Sequence, residues 1–556
     1  MPPFDERHRG DAEAVRAYRG AMTDERHAFL FVATDGARVS RVERGRDGVP
    51  EVEQVWRLEA PDDAPRAFEL RFGGAIRPPA LAEITEVSPL PPVASSTSLA
   101  VDGLRLRLEA PELPASARVA VELDGGTSDG WAPDGGEARL VVGWSRRLEV
   151  TIRATLAGEA RPVHTGTRAA PRFERRGRLW CDDLGLRVAS RHREGLERIA
   201  RGAVAYVAGC TLLRTGPGEA CLLTDHRLLP LSWTRDAYYQ ALLLLTAGAD
   251  EPSYLDLVAD HLRWLWGRCE RPGHLWQRSH RANGEPKDLA YQADQQLFPV
   301  LELLDFRQAT GAWPAPPPGD PTAEPCRTWG ALVDAAWRAL PVSPNGLVRT
   351  DENPADDPSS LPFALSAQVL AWYVARRLAD VAAELGLDSD LLHAARRARV
   401  ATDREFCARG THGMQWAYEV DGQGGSRLYA DANDVPTALA AAWGFCAADD
   451  PVWGATMRFA FDEANPAFRP GPWGGLGSLH TPGTWPLGDA QEWVVASAVG
   501  DVDRAERALG RLTGIAASDG LLPEAYDPET GAWTARHWFA WPAALVGALA
   551  GAALHG

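Results

Sequence analysis

The sequence predicts a chain of two parts, an N-terminal antiparallel β-sandwich over residues 1–175 and a mostly α-helical (α/α)6 barrel over residues 176–556. Three observations predict it: a change of hydrophobic period, a count of helical segments, and an alternation of short and long connections. In the first part apolar residues recur every second position. Leu104, Leu106 and Leu108 alternate with Arg105 and Arg107, Val119, Val121 and Leu123 alternate with polar residues, and so do Leu148, Val150, Ile152, Ala154 and Leu156. A period of two marks strands with one face buried. The Gly/Asp-rich stretches LDGGTSDG and APDGGE read as turns between strands, and a proline-rich connection covers Pro78 to Pro92. Strands with one apolar face are buried most economically by packing two sheets face to face.

From about residue 189 the period becomes helical. Segments fall near 189–213, 235–247, 252–268, 291–308, 323–340, 361–385, 389–408, 434–448, 450–461, 487–499, 501–514 and 538–554. Twelve helices in alternation make six inner helices ringed by six outer ones. A solenoid is the rival arrangement, but no constant period or repeated consensus is visible. Connections after even-numbered helices are mostly short (GLDSD, AADDP, VGDVD), with the proline-rich stretch 311–321 as the exception. Those after odd-numbered helices are mostly long and rich in polar, aromatic, Gly and Pro residues. In an up-down barrel the long loops converge on one mouth, where a site is expected.

Composition narrows the function classes. The 556 residues carry 58 basic and 75 acidic side chains, a net charge of −17, which argues against binding to nucleic acid or to an anionic membrane. Lys287 is the only lysine. The seven cysteines stand singly and form no C-x-x-C pair, which favours a reducing compartment over a disulfide framework or a zinc ribbon. No apolar leader and no convincing membrane span is visible, Trp538 to Leu554 coming closest, so a cytoplasmic location is expected. Oligomeric state is not readable. Of the 21 tryptophans, 17 follow residue 180. Trp264, Trp337, Trp372 and Trp493 lie within helices and are expected in the core. Trp233, Trp276, Trp485, Trp538 and Trp541 lie in or beside the long loops, where an indole face can stack on a ligand ring and its N–H can donate.

Each long loop holds polar residues with a bland alternative beside the functional one. Arg235 and Asp236 open the second helix. Asp236 there suits the helix dipole, but Arg235 gains nothing from it, which points to a ligand-facing role. Gln292 and Asp294 precede the fourth helix, where Asp294 can also serve as an N-cap. Asp356 and Asp357 sit in a Pro/Ser loop; adjacent carboxylates repel and raise one pKa, as a proton donor needs, although a solvated acidic turn looks the same. Asp431 and Asn433 precede the eighth helix after a GQGGS hairpin that lacks the context of a phosphate loop. The fifth loop holds His480, Thr481 and Trp485; one His in such a loop is more often a hydrogen-bonding group than a metal ligand. The sixth holds Glu524 after Pro523, then Arg536, His537, Trp538 and Trp541. Gathered at one mouth, carboxylates, amides, Arg and Trp form the set that hydrolysis of a glycosidic bond requires.

These residues resemble a known family. WTRDA at 233–237, YQAD at 291–294, PADD at 354–357, ADANDVP at 430–436, SLHTPG at 478–483 and PEAYD with TARHWFAW at 523–541 are similar, in order and spacing, to the exo-α-mannosidases of glycoside hydrolase family 125 and more distantly to the family 15 glucoamylases. The resemblance spans roughly residues 220–550. It implies an inverting exo-acting α-glycosidase, most like an α-mannosidase, acting on an oligosaccharide or glycoconjugate without a cofactor. Asp356 is then the general acid, held protonated by Asp357 and partial burial, and Glu524 the general base. Trp233, Arg235, Asp236, Gln292, Asp294, Asp357, Asp431, Asn433, His480, Trp485, Arg536, Trp538 and Trp541 would bind substrate. The N-terminal part resembles the supersandwich preceding the barrel of bacterial glucoamylases. Pro523 stands where the mannosidase pattern has a His, Asp434 is an insertion, and PEAYD is closer to the glucoamylase loop, so an α-glucosidase is the enzymatic alternative. A sugar-binding protein on a catalytically dead barrel is the alternative from another class.

Overall fold

The structure is a computed structural model that describes residues 30–34, 38–39, 51–59, 62–72, 98–110, 115–134, 137–158, 172–216, 218–225, 231–287, 289–317, 325–387, 390–516, 520–535 and 539–555. The proline-rich connection Pro78 to Pro92, part of the stretch 311–321, Arg536 and Trp538 lie outside the described residues. The chain divides into a compact unit within residues 1–170 and another within 171–556.

In the first unit the strands are β1 (Leu30–Thr34), β2 (Arg38–Val39), β3 (Glu51–Glu59), β4 (Arg66–Phe72), β5 (Ser98–Asp102), β6 (Arg105–Ala110), β7 (Ala115–Thr127), β8 (Trp131–Asp134) and β9 (Glu137–Gly158). They join into one antiparallel sheet around β9, which at 22 residues is long enough to take different partners along its length. In the ladder Leu140 is paired in register with Leu70 of β4 and Trp131 of β8, and Val150 with Trp56 of β3 and Leu123 of β7. Leu58, Phe68, Val119, Leu140, Val142, Leu148 and Val150 are buried on it, as the alternation of period two requires. The described strands thus establish an antiparallel sheet. LDGGTSDG is not a turn from its start: β7 runs on to Thr127 through a register shift between Asp124 and Gly126. Gly125 has φ 86°, and a Cβ there would lie 2.4 Å from the Arg147 carbonyl oxygen, so glycine is required at this bulge.

The second unit is mostly helical. Among the described residues its twelve α-helices are α1 (Ser190–Tyr206), α2 (Thr234–Ala247), α3 (Ser253–Gly267), α4 (Ala293–Thr310), α5 (Pro325–Ala339), α6 (Leu365–Leu385), α7 (Leu391–Glu405), α8 (Val435–Ala438), α9 (Pro451–Ala460), α10 (Pro486–Val499), α11 (Val502–Ile515) and α12 (Ala540–His555). The even-numbered helices pack in a closed ring: α2 on α4, α4 on α6, α6 on α8, α8 on α10, α10 on α12, and α12 back on α2. Burial explains which helices are inside. On α2 every residue from Thr234 to Thr246 is buried, as is nearly all of α4. On α7 the buried residues Leu391, Ala395, Ala398, Ala401 and Thr402 form one stripe. A helix apolar on all sides belongs inside; one with a single stripe lies against the ring from outside.

Two segments differ from the sequence reading. The first helix stops at Tyr206 and passes through a π-turn, Val207–Thr211, into a strand. The eighth, expected over 434–448, keeps only Val435–Ala438 as regular helix. Gly444 adopts φ 76°, and the Phe445 N–H reaches back to the Ala440 carbonyl at 2.8 Å, a left-handed stop. The turn places Trp443 flat against Tyr373 of α6, ring centroids 4.4 Å apart. No helix among the described residues is long and apolar enough to cross a membrane.

Candidate active site

The connections that lead from an outer helix to the next inner one are residues 207–233, 268–292, 340–364, 406–434, 461–485 and 516–539. Trp233 and Gln292 stand immediately before α2 and α4, Arg235, Asp236, Asp294 and Trp541 lie in first turns, Asp431, Asn433, His480 and Trp485 lie shortly before α8 and α10, and Asp356, Asp357 and Glu524 lie further back in their loops.

Arg235 is the hub. It is 4% exposed, and its guanidinium donates to Gln292 Oε1 at 3.2 Å, to Asp294 Oδ2 at 3.0 Å and to Asp356 Oδ1 at 3.2 Å, with Asp236 Oδ1 3.6 Å from its Nε. The Trp541 ring lies under it, 4.8 Å from centroid to Cζ. Burial would lower the Arg235 pKa, but Asp294, Asp356 and Asp236 together raise it, so the guanidinium is charged at every accessible pH. Burial also raises Asp294 against the pull of Arg235. Asp236 accepts from the Thr224 hydroxyl on the first loop.

Asp356 reaches this hub because of the turn that carries it. The Asn353 side chain accepts from the N–H groups of Ala355 at 2.8 Å and Asp357 at 3.2 Å, while Asp356 N–H donates to the Asn353 carbonyl at 3.0 Å. The turn holds Asp356 at φ 64°, a left-handed conformation that Asp tolerates better than most residues. Its Oδ1 also accepts from Gln292 Nε2 at 2.7 Å. The expectation that Asp357 and burial raise the Asp356 pKa is corrected here. Burial does push it upward, but the charges of Arg235 and Arg278, the Gln292 amide and His480 outweigh burial and hold it below the ordinary carboxylate range. In the free protein Asp356 is an ionised acceptor.

The adjacent carboxylate faces elsewhere. His480 Nδ1 lies 3.3 Å from Asp357 Oδ1, joining the third loop to the fifth across the mouth. Burial lowers the His480 pKa, but Asp357, then Asp356 and Glu524, raise it above its usual value. Glu524 is 5% exposed, and the Thr481 hydroxyl is 3.4 Å from its Oε1. The described site thus has two lobes, the Arg235 hub and the Glu524 loop, with His480 within electrostatic reach of both.

Three expected ligand groups are engaged elsewhere. Asp431 accepts from the Tyr429 hydroxyl, from Asn433 N–H at 2.9 Å, from Asn433 Nδ2 at 2.8 Å and from Ser478 Oγ at 2.9 Å; four donors occupy its carboxylate, which pins the loop before α8 and orients Asn433. Trp485 is 2% exposed and donates its indole N–H to the Thr481 carbonyl at 2.8 Å, so it holds the His480–Thr481 loop instead of presenting a face. Trp276 is fully buried against Trp266 and Arg271, its N–H on the Leu265 carbonyl at 3.2 Å, and belongs to the core. Trp264, Trp372 and Trp493 are core residues as expected, and Trp337 is half-buried. Trp541, 1% exposed, serves the site from beneath Arg235, and Trp233 is 7% exposed.

Sequence reasoning missed Arg278 and Glu352. Arg278 Nη1 lies 3.1 Å from Glu352 Oε1, and Gln292 Nε2 donates to Glu352 Oε2 at 3.0 Å, so this pair fixes the amide that holds Asp356. Both lie on the long loops already singled out. What could have flagged them is an Arg and a Glu on adjacent loops of one mouth.

Residues 332–550 match the profile of the family described as metal-independent alpha-mannosidase (GH125). The "Meiotically up-regulated gene 157 protein" of Schizosaccharomyces pombe is 28% identical over 291 residues, 47% of this chain and 55% of that protein, so the chain spans about half the length of this curated relative. Among solved structures, a metal-independent alpha mannosidase of Streptococcus pneumoniae in a non-productive complex with alpha-1,6-mannobiose superposes with TM-score 0.56 at 18% identity, over 68% of this chain and 97% of that one. A bacterial glucoamylase complexed with acarbose superposes with TM-score 0.55 at 11% identity, over 95% of this chain and 88% of that one. At these identities the likeness is one of fold. The family match is to GH125 over part of the chain, and the fold likeness extends to a glucoamylase. The family match contains Asp356, Asp357, His480 and Glu524; the Arg235 hub draws its remaining members from outside it.

Proposed function

We propose that this protein is an inverting exo-acting α-glycosidase, most like an α-mannosidase, that removes a terminal sugar from an oligosaccharide or glycoconjugate. The observation that carries the reading is the Arg235 hub: one guanidinium, one amide and three carboxylates from three loops, converging on one end of a closed helical ring. Alternating donors and acceptors of this kind suit vicinal sugar hydroxyls, and a carboxylate on the opposite lobe suits activation of a water.

In this mechanism Arg235, Asp236, Asp294 and Asn433 bind the terminal sugar. Asp356 donates a proton to the leaving oxygen as the bond from C1 breaks, while Glu524 takes a proton from the water that attacks C1 from the other face. Asp356 starts ionised, so it must gain its proton as substrate binds. A neutral sugar that covers the mouth deepens burial, the largest upward influence on this carboxyl, and its hydroxyls draw on Arg235. Arg536 and Trp538 remain assigned to the substrate by resemblance alone. We assign residues 1–175 as a β-sandwich domain accompanying a barrel domain at 176–556, and a cytoplasmic location on the single spacing of the cysteines, which form no C-x-x-C pair.

An α-glucosidase is the second reading. It is favoured by the fold likeness to the glucoamylase, which extends over the N-terminal sheet. A panel of aryl α-mannosides and α-glucosides decides between the two. Time-resolved NMR of the first product decides the mechanism: release of the α-anomer from an α-linked substrate would exclude inversion. Binding without turnover across a glycan library would make the barrel a sugar-binding module.

A further inference from the structure

The loop that carries Glu524 is held by a buried hydrogen-bond chain that the proposed chemistry does not itself use. Tyr526 stands two residues after Glu524 and is fully buried. Its hydroxyl donates to Asp489 Oδ2 at 2.5 Å, and Asp489, in the first turn of α10, is itself fully buried. The other Asp489 oxygen accepts from Arg511 Nε on α11 at 2.6 Å. Arg511 also reaches Glu492, one turn further along α10, and Glu492 accepts from Arg504 Nε at 2.7 Å. The chain therefore runs from the loop, through an inner helix, to the outer helix behind it.

The backbone is joined as closely. Tyr526 N–H donates to the Thr484 carbonyl at 2.8 Å and Thr484 N–H to the Tyr526 carbonyl at 2.9 Å, so the Glu524 loop pairs directly with the loop bearing His480 and Thr481. Gly483 sits at the junction with φ 144°, where a Cβ would lie 2.9 Å from the Tyr526 carbonyl oxygen. The Thr481 hydroxyl, 3.4 Å from Glu524, is carried on that same paired segment.

We infer that Tyr526, Asp489 and Arg511 are positioning residues that set the height and angle of the Glu524 carboxylate relative to the attacking water. The inference rests on Glu524 being the general base. An apolar plug would fill the space behind the loop without fixing its angle. Two charge-assisted hydrogen bonds on one buried carboxylate fix it in two directions, because such bonds are short and directional. Burial lifts the Asp489 pKa to about 6 even though Arg511 and Tyr526 pull it down. The carboxylate is thus kept at a cost that packing alone would not require. Positioning of this kind matters because a displacement of about 1 Å can cost about 10²-fold in rate.

The experiment is Tyr526→Phe in the full chain, assayed on the aryl α-glycoside that the wild type cleaves fastest, beside Glu524→Gln. The expected result is a kcat lowered about tenfold with KM within about twofold, since the Arg235 hub is untouched. The acidic limb of the kcat/KM pH profile, which reports the base, should move as well. Asp489→Asn should lower kcat similarly, and the double variant should lose little more than either single one, as groups acting in series do. Wild-type kcat in Tyr526→Phe, or a fall in Tm with unchanged kcat in the folded fraction, overturns the inference while an inactive Glu524→Gln leaves the base assignment standing. An active Glu524→Gln overturns both. If Tyr526→Phe does not fold, Arg511→Lys, which keeps the charge but loses the fork, is judged by the same criteria.

Discussion

Two arginines of the inner ring, the buried Arg235 and the half-buried Arg377, are built into opposite kinds of cluster. Arg377 on α6 donates to Asp305 Oδ1 at 2.9 Å and to the Tyr373 hydroxyl at 3.0 Å, and the other Asp305 oxygen accepts from Tyr238, which accepts from the Trp180 indole. One cation meets one anion, and neutral donors complete the set. Arg235 faces three carboxylates and an amide, so negative charge is in excess. The same helix contributes to both, with Tyr238 lying one turn beyond Arg235. Balanced clusters brace a fold. An unbalanced cluster at the mouth costs folding free energy, which is why the first reads as structure and the second as the proposed site.

The largest expected effect separates site from brace by chemistry. Asp356→Asn and Glu524→Gln should each lower kcat by about 10²–10⁴-fold without a matching loss of Tm. An aryl glycoside with a very good leaving group should restore turnover to Asp356→Asn but not to Glu524→Gln, because only the former is asked to protonate the leaving oxygen. If Asp357→Asn shows that leaving-group dependence and Asp356→Asn does not, the proton donor is the neighbour.

Next come the two arginines themselves. Arg377→Met breaks a buried pair and should cost about 3–5 kcal/mol of stability, read by denaturant unfolding, while the folded fraction keeps its kcat and KM. Arg235→Met should raise KM and abolish saturable sugar binding in calorimetry. Equal catalytic losses in the two variants would erase the distinction between the clusters.

A smaller effect is expected at Asp434, whose pKa burial raises to about 7 from the ordinary 3.8, with Asp431 and Asp294 adding to it. A carboxyl whose folded pKa is raised favours the fold when protonated. Its penalty therefore grows as pH climbs from about 3.8 through about 7 and is complete above that. Asp434→Asn should raise Tm relative to wild type at pH 8 and converge with it near pH 4, which a melting series across pH reads. A constant difference across that range would mean that Asp434 does not titrate there.

The smallest expected effect concerns Trp276, a tryptophan of the second long loop. Trp276→Phe should cost about 0.5–3 kcal/mol in unfolding free energy and leave KM unchanged, because this ring is packed against Trp266 and Arg271. A change in KM would return it to the site.

Much of the helical half was legible because its signals are local. Period, Pro and Gly punctuation and loop length place all twelve helices, and the alternation of connections identifies the end where polar residues gather. The exceptions have local causes that only packing reveals. The eighth helix gives way to turns after Ala438, and the left-handed Gly444 ends them beside Trp443, which stacks on Tyr373. Asp431, Trp485 and Trp276 carry the right residue types in the right loops, yet each is spent on a partner inside the wall. A side chain's type shows what it can bind; whether it is still available depends on neighbours that the chain order does not reveal.

By itself the sequence determined the change from strands to helices, the inner and outer alternation and the candidate carboxylates, since each follows from spacing within a few residues. The tertiary structure decided ionisation and orientation. Arg235 and Asp356 are 121 positions apart and meet at 3.2 Å, and that meeting, with Arg278 and Gln292 beside it, turns an expected protonated acid into an ionised acceptor. The physical reason is that a charge's energy depends on distance and burial, and both are set by the closing of the ring, not by position along the chain.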